Sequence, residues 1–468
     1  MHQQRQRSPP WGASEDMNAG ISVIRSFILH PPKERADRLR AISLYSGAGL
    51  SDFGYALAGF SFWVQADIDP KRARLCASNF PQAAPVVGDL RSKWQEIVAE
   101  YEKKCDTPPD LLTATPPCQG MSSSNPGRGK VGDPDSGSRD ARNLLILPVA
   151  RVVEALCPRM VVIENVPQLL LRTVRLRENG RPRNLVEAFL DRVPGYRAFA
   201  GVVQMADHGI PQVRRRSVLV LLREGDPALA ILDREDALPW PQPRHAAASD
   251  NGLPPWVTLE EWFREMNYPP LDAKSLVTAV DADDPLHRVP HYPDHRYSWI
   301  ADIPPRSGAS AYQNANCHCC GRRGVPERRA SCDRCGKPML NRPHVRTKNG
   351  RVRLVKGFLS SYRRMKPDRP APTVTTASSH LGSDYKIHPW ENRVLSIREC
   401  ADLQTIPRTY DWLWAIDAGL KYMLRQVIGE AIPPWFTYLH GKALRDLLAG
   451  RSPRIPLAKR PVDKHTPN

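Results

Sequence analysis

At 468 residues the chain is too long for one ordinary domain and long enough for two or three, each with its own core. Lys and Arg outnumber Asp and Glu by 67 to 49, a formal net charge of +18, which argues for a polyanionic partner. No run of apolar residues is long enough to span a bilayer, and Met1-His2-Gln3-Gln4-Arg5 leads into no signal-peptide core. A soluble cytoplasmic protein without membrane contact is expected.

Residues 1–38 are rich in Arg, Pro and Ser and read as a leader of uncertain order. Over residues 39–238 strand, turn and helix alternate. Strands are expected at Ala41 to Tyr45, Phe62 to Ala66, Leu111 to Ala114, Met160 to Ile163 and Ser217 to Leu222, with a helical pattern at Leu144 to Leu156. That rhythm predicts a mixed, mostly parallel sheet covered by helices. Residues 239–380 form a second, smaller domain dense in proline and tryptophan, with a capping-box helix start at Thr258-Leu259-Glu260-Glu261. Residues 381–450 become helical again from Ser396-Ile397-Arg398-Glu399, through Tyr422 to Val427 and Phe436 to Leu448, and should pack back on the first domain. A basic tail, 451–468, ends the chain.

The turn Tyr45-Ser46-Gly47-Ala48-Gly49-Leu50 follows the first strand and opens a helix, so its glycines let backbone approach a ligand at the carboxyl edge of the sheet. The dinucleotide pattern would place a third glycine where Asp52 stands. Asp67, followed by Ile68, closes the second strand, and Asp89 follows the third apolar stretch. Carboxylates at consecutive strand ends favour an adenosine-containing cofactor.

Cys118 lies in Thr115-Pro116-Pro117-Cys118-Gln119-Gly120, where an apolar strand and two prolines present the thiol on a stiff turn. It is the best nucleophile candidate. The segment from Gly120 to Asp140, rich in Gly and Ser and carrying Arg128, Lys130 and Arg139, suits a lid over a phosphate backbone. Two more polar clusters hang on strands: Glu164-Asn165-Val166 and Gln212-Val213-Arg214-Arg215-Arg216.

Cys317-His318-Cys319-Cys320-Gly321 and Cys332-Asp333-Arg334-Cys335-Gly336 are paired CxxCG knuckles, a four-thiolate signature for structural zinc. Cys317, Cys320, Cys332 and Cys335 are the expected ligands, with His318 or Cys319 as substitutes. From Gly321 to Lys366 there are fifteen Lys or Arg and only two acids, Glu327 and Asp333. Such density suits nucleic acid.

In this order the blocks resemble a DNA (cytosine carbon-5) methyltransferase: Ser46-Gly47-Ala48-Gly49, Pro117-Cys118-Gln119, Glu164-Asn165-Val166, Gln212 with Arg214 and Arg216, Arg369-Pro370-Ala371-Pro372-Thr373, and Gly429-Glu430-Ala431-Ile432-Pro433. The resemblance implies a Rossmann-like, S-adenosylmethionine-dependent domain plus a target-recognition domain, here with zinc. It implies cofactor contacts from Tyr45 to Leu50 and from Asp67, Ile68, Asp89, Pro117 and Glu430. It gives Cys118 the attack on carbon-6 of a cytosine extruded from double-stranded DNA. Protonated Glu164 would donate to nitrogen-3, Asn165 would orient the base, and Arg216, with Arg214, would meet oxygen-2. The family commonly has asparagine where Glu430 stands, and phenylalanine and alanine where Tyr45 and Ser46 stand.

A monomer is expected, methylating within a specific sequence as restriction-modification enzymes do, with a companion endonuclease as a separate protein. The alternatives are a tRNA cytosine-5 methyltransferase and a DNA-binding protein without catalysis. Intact Cys118, Glu164 and Arg216 count against the second.

Overall fold

The computed structural model describes residues 20–33, 38–121, 141–176, 180–248, 252–327, 329–357, 360–383 and 385–453. The expected lid, from 122 onward, lies outside the described residues, as do most of the basic tail and the first nineteen residues of the leader.

The first half alternates as α1 (Ile21–Leu29), β1 (Leu39–Leu44), α2 (Leu50–Leu57), β2 (Phe60–Asp67), α3 (Pro70–Asn79), β3 (Ala84–Val87), α4 (Leu90–Glu102), β4 (Leu111–Ala114), α5 (Val149–Leu156) and β5 (Met160–Asn165). It continues with a short hairpin, β6 (Thr173–Val174) and β7 (Arg183–Asn184), then α6 (Leu185–Leu190), β8 (Tyr196–Gln204), β9 (Arg215–Arg223) and α7 (Pro227–Glu235). The sheet order is β3-β2-β1-β4-β5-β9-β8, with β9 antiparallel to both neighbours and the other pairs parallel. Every residue of β4 and β5 is buried, as expected of central strands covered on both faces. The mixed, mostly parallel α/β fold read from the sequence is the fold observed.

Three local expectations change. The leader contains a packed helix: Ile24, Phe27 and Ile28 of α1 are fully buried. The helix expected from Leu144 begins only at Val149, because Pro148 has no N–H to continue a helical ladder, and Ala141–Leu144 form a separate 3-10 turn. β3 is the third apolar stretch, the one before Asp89, and β8 is an addition. Both are edge strands, and Pro85 in β3 is tolerable only there.

The second part contains α8 (Leu259–Met266), α9 (Asp294–Ala301) and the hairpin β10 (His344–Arg346) and β11 (Val352–Leu354). It has its own small core, including Trp299, Ile300, Tyr362 and Ile387. The chain then returns as α10 (Ile397–Leu403), α11 (Leu413–Asp417), α12 (Lys421–Glu430) and α13 (Pro434–Leu448). Capping boxes start α8 and α10 at Thr258 and Ser396, as the sequence predicts.

α13 packs directly on α2. A Cβ added to Gly54 would stand 2.1 Å from Thr437 Oγ1 and 2.2 Å from the Pro434 carbonyl, so a side chain there would force the two helices apart. Phe27 of α1 closes the same layer, its ring 5.1 Å from Trp435. The returning helices therefore complete the core under the glycine turn.

Candidate active site

A cavity of about 500 Å³ opens at the carboxyl ends of β1, β2, β4 and β5. Of the residues expected to bind cofactor or act in catalysis, Gly49 and Arg214 stand behind its wall and all the others line it.

The glycine turn is shaped by left-handed backbone at Tyr45 (φ 57°), Gly47 (φ 55°) and Gly49 (φ 73°). Glycine adopts this freely and tyrosine does so at a cost, so the strain is held by neighbours. At Gly49 a Cβ would stand 2.7 Å from both Cys76 Sγ and the Phe80 ring. Tyr45 is fixed at both ends: its carbonyl accepts the Thr115 hydroxyl at 2.8 Å, and its phenol donates to the Leu145 carbonyl at 2.7 Å. A phenylalanine could not make the second bond.

Asp67 accepts the Gly47 and Asp69 N–H groups, each at 2.9 Å, while burial pushes its pKa up. Beside it, Ile68 is 63% exposed and gives the cavity an apolar wall. Asp89 caps α4 and pairs with Arg91, whose hydrogen bonds hold it below the usual carboxylate range. Glu430 makes a two-pronged pair with Arg72 at 2.6 and 3.2 Å. Here the carboxylate is answered by a cation on α3, a pairing with no local sequence signal.

In the sequence Asp52 is marked only by standing where the dinucleotide pattern has glycine. It is buried and accepts hydrogen bonds from Ser43, Gln65 and Thr113, so it ties α2 to three strands, and burial raises its pKa to about 6.

The nucleophile turn is held from two sides. Thr115 is tied to Tyr45, and the Asn165 amide donates to the Pro116 carbonyl at 2.8 Å. Asn165 thus spends its N–H on the turn and its oxygen on the Val166 N–H. Burial pushes the Cys118 thiol up, Arg216 opposes that, and Glu164 adds to it.

Glu164, 6% exposed, has Oε1 2.7 Å from Arg216 Nε. The contact is ionic and poorly aligned, so that oxygen has no hydrogen-bond partner. Burial raises the Glu164 pKa against the pull of Arg216 and Arg214. A buried carboxyl on the cavity wall, with its pKa raised, is suited to bonding a base edge.

Arg214 differs from expectation. Its guanidinium is fully buried and donates to the carbonyls of Val374 at 3.1 Å, Gly429 at 3.0 Å and Glu430 at 3.1 Å. Gln212 bonds Leu403, Gln404 and Val374 in the same seam. A Cβ on Gly429 would meet Thr375 and Thr376 backbone at 2.4 Å, which explains that glycine. These blocks join the returning chain to the sheet, and only Arg216 of the cluster reaches the cavity.

In the second part, the sulfurs of Cys317, Cys320, Cys332 and Cys335 all lie within 4.8 Å of one another. The separations Cys317 to Cys335 and Cys320 to Cys332 are 3.7 and 3.8 Å. Tetrahedral thiolates around one zinc, each about 2.3 Å from the ion, stand about 3.8 Å apart. The knuckles repeat each other: Gly321 and Gly336 N–H groups reach the Cys317 and Cys332 carbonyls at 2.9 and 3.0 Å. His318 pairs with Asp302, and Cys319 is exposed, so neither substitute belongs to the set. Among the described cations of this segment Arg342 and Arg364 turn inward: both are fully buried and bind backbone carbonyls.

The family signature described as C-5 cytosine-specific DNA methylase matches residues 39–444, and the chain belongs to that family. It is a methyltransferase acting on carbon-5 of cytosine in DNA. It is 28% identical over 408 residues to the type II methyltransferase M1.HgaI of Avibacterium volantium, covering 85% of this chain and 95% of the relative. To the type II methyltransferase M1.HphI of Haemophilus parahaemolyticus it is 25% identical, covering 85% and 84%. Among solved structures, a DNA modification methyltransferase encoded within an E. coli prophage aligns with 88% of this chain and 99% of its own, at 21% identity and a TM-score of 0.49. Among the described residues no helix is long and apolar enough to cross a membrane.

Proposed function

We propose that the protein methylates cytosine within a specific duplex sequence, as a type II modification enzyme, through covalent attack by Cys118. The observation that carries this reading is the shared cavity wall of Cys118, Glu164 and Arg216, contiguous with the glycine turn.

Carbon-5 of cytosine is too weak a nucleophile to take a methyl group unaided. Addition of the Cys118 thiolate at carbon-6 makes the ring electron-rich, and negative charge moves onto nitrogen-3 and oxygen-2. Glu164 in its neutral form donates a proton to nitrogen-3, and Arg216 faces the charge at oxygen-2. The raised Glu164 pKa and its place on the cavity wall beside Cys118 support that role. Asn165 acts on the nucleophile turn, and Arg214 acts on the domain seam. A cytosine within a duplex cannot reach this cavity, so it must be extruded.

The cavity fits S-adenosylmethionine: Asp67 is fixed to bond ribose hydroxyls, Ile68 gives an apolar face, and Gly47 leaves room for close approach. When bound, the cofactor supplies the electrophilic methyl. Tyr45 to Leu50, with Asp89, Pro117 and Glu430, would complete its surroundings. The spacing of the four sulfurs supports structural zinc, with residues 239–380 as the target-recognition domain.

Incubation with labelled S-adenosylmethionine and either duplex DNA or tRNA, followed by mapping of the modified base, tests the reading. Label at carbon-5 of cytosine in DNA, confined to one sequence context, is expected. Label in tRNA alone, or in DNA without sequence preference, would overturn it.

A further inference from the structure

The hairpin β10–β11 contributes no residue to the hydrophobic cores and meets one only at its root, where the His344 ring lies 6.3 Å from Trp299. His344 faces Leu354, Val345 faces Arg353, and Arg346 faces Val352, and the turn closes through Thr347, Gly350 and Arg351. Between Asp333 and Asp368 the sequence has no acid, while the hairpin and its exit carry Arg346, Lys348, Arg351, Arg353 and Lys356. All five side chains are exposed, and among the described residues none forms an ion pair. Clustered cations without local counter-charge repel one another, so this array favours a polyanion as its occupant.

The root of the hairpin is rigid. Arg342, just before β10, binds the carbonyls of Asn314, Val325, Pro326 and Arg329, which flank the first cysteine knuckle. On the far side, Val355 N–H bonds Pro343, and its carbonyl accepts the Tyr312 phenol at 2.9 Å. The cysteine cluster and Arg342 therefore hold a stiff base from which the basic ribbon projects.

A two-stranded ribbon has the width of the DNA major groove, and an arginine there can bond guanine O6 and N7 together. Alternation along the strands puts Val345 and Arg353 side by side on one exposed face, an apolar contact next to a planar donor. We propose that the β10–β11 hairpin enters the major groove of the target duplex, with Arg353 and Val345 reading bases and Lys348 and Lys356 holding phosphates. This rests on the DNA-modifying function given above and assigns its sequence choice to one element.

The test uses the full-length protein on a plasmid library with randomised bases around cytosine, each context scored for carbon-5 methylation. Arg353→Ala should relax preference at one or two positions by about ten- to a hundredfold. Lys348→Ala should weaken methylation of all contexts alike and reduce the salt dependence of binding by about one phosphate contact. Both variants should bind S-adenosylmethionine as the parent does, since neither side chain is buried. An unchanged sequence preference in Arg353→Ala and in the double variant Val345→Ala/Arg353→Ala would overturn the assignment. So would a uniform loss across contexts in the two. If the parent protein itself methylated no cytosine, the functional reading would fail instead.

Discussion

Arg216 Nε stands 2.7 Å from Glu164 Oε1, and the two side chains act on the Cys118 thiol in opposite senses. Burial raises the thiol pKa; the guanidinium lowers it and the carboxylate raises it further. Each substitution beside the thiol therefore has a definite sign.

Arg216→Gln should therefore shift the pH at which Cys118 becomes reactive upward, and Glu164→Gln should shift it downward. The rate of iodoacetamide alkylation of the Cys118 peptide against pH, read by mass spectrometry without DNA, measures this. Shifts of the same sign in both variants would contradict the geometry.

Arg214 and Arg216 are two residues apart and differ in kind. Arg214→Met leaves three buried carbonyls without a donor and should cost about 3 kcal/mol or more in unfolding free energy. Arg216→Met breaks the pair with Glu164 but leaves the seam intact, so it should cost less in unfolding than Arg214→Met and abolish methyl transfer. Denaturant titrations alongside turnover assays separate the two; equal stability losses would sink the distinction.

The cysteine cluster should hold one zinc per chain, removable by a thiol-modifying reagent with loss of DNA affinity and retention of S-adenosylmethionine binding. Metal analysis and calorimetry check both halves. Cofactor binding lost together with the metal would mean that the cluster supports the catalytic domain instead.

Phe27 has no exposed surface and packs against Trp435 and Tyr438. Phe27→Ala should destabilise the protein by about 3–5 kcal/mol, measured by equilibrium unfolding. A change under about 1 kcal/mol would mean α1 is dispensable.

What the sequence disclosed and what it concealed have a common physical basis. Central strands are apolar on both faces, so β4 and β5 were visible, and the polar residues that follow them marked Cys118 and Glu164. The edge strand β8 faces solvent along most of its length and lost that contrast. The helix α1 was legible in the spacing of Ile24, Phe27 and Ile28, but the polar residues before it obscured the signal. Partnerships across long separations, such as Arg72 with Glu430 or Tyr45 with Leu145, leave no trace in local pattern. The backbone carbonyls that Arg214 and Asn165 bind are likewise absent from the local pattern.

The central claim is a covalent bond between Cys118 and carbon-6 of the target cytosine. A duplex carrying 5-fluorocytosine at the mapped target cannot lose its carbon-5 substituent as a proton, so the adduct should persist after methyl transfer. Incubated with S-adenosylmethionine and analysed by mass spectrometry, the parent protein should yield one protein–DNA conjugate mapping to Cys118, and Cys118→Ala should yield none. A conjugate at another cysteine, or turnover retained by Cys118→Ala, would contradict the account.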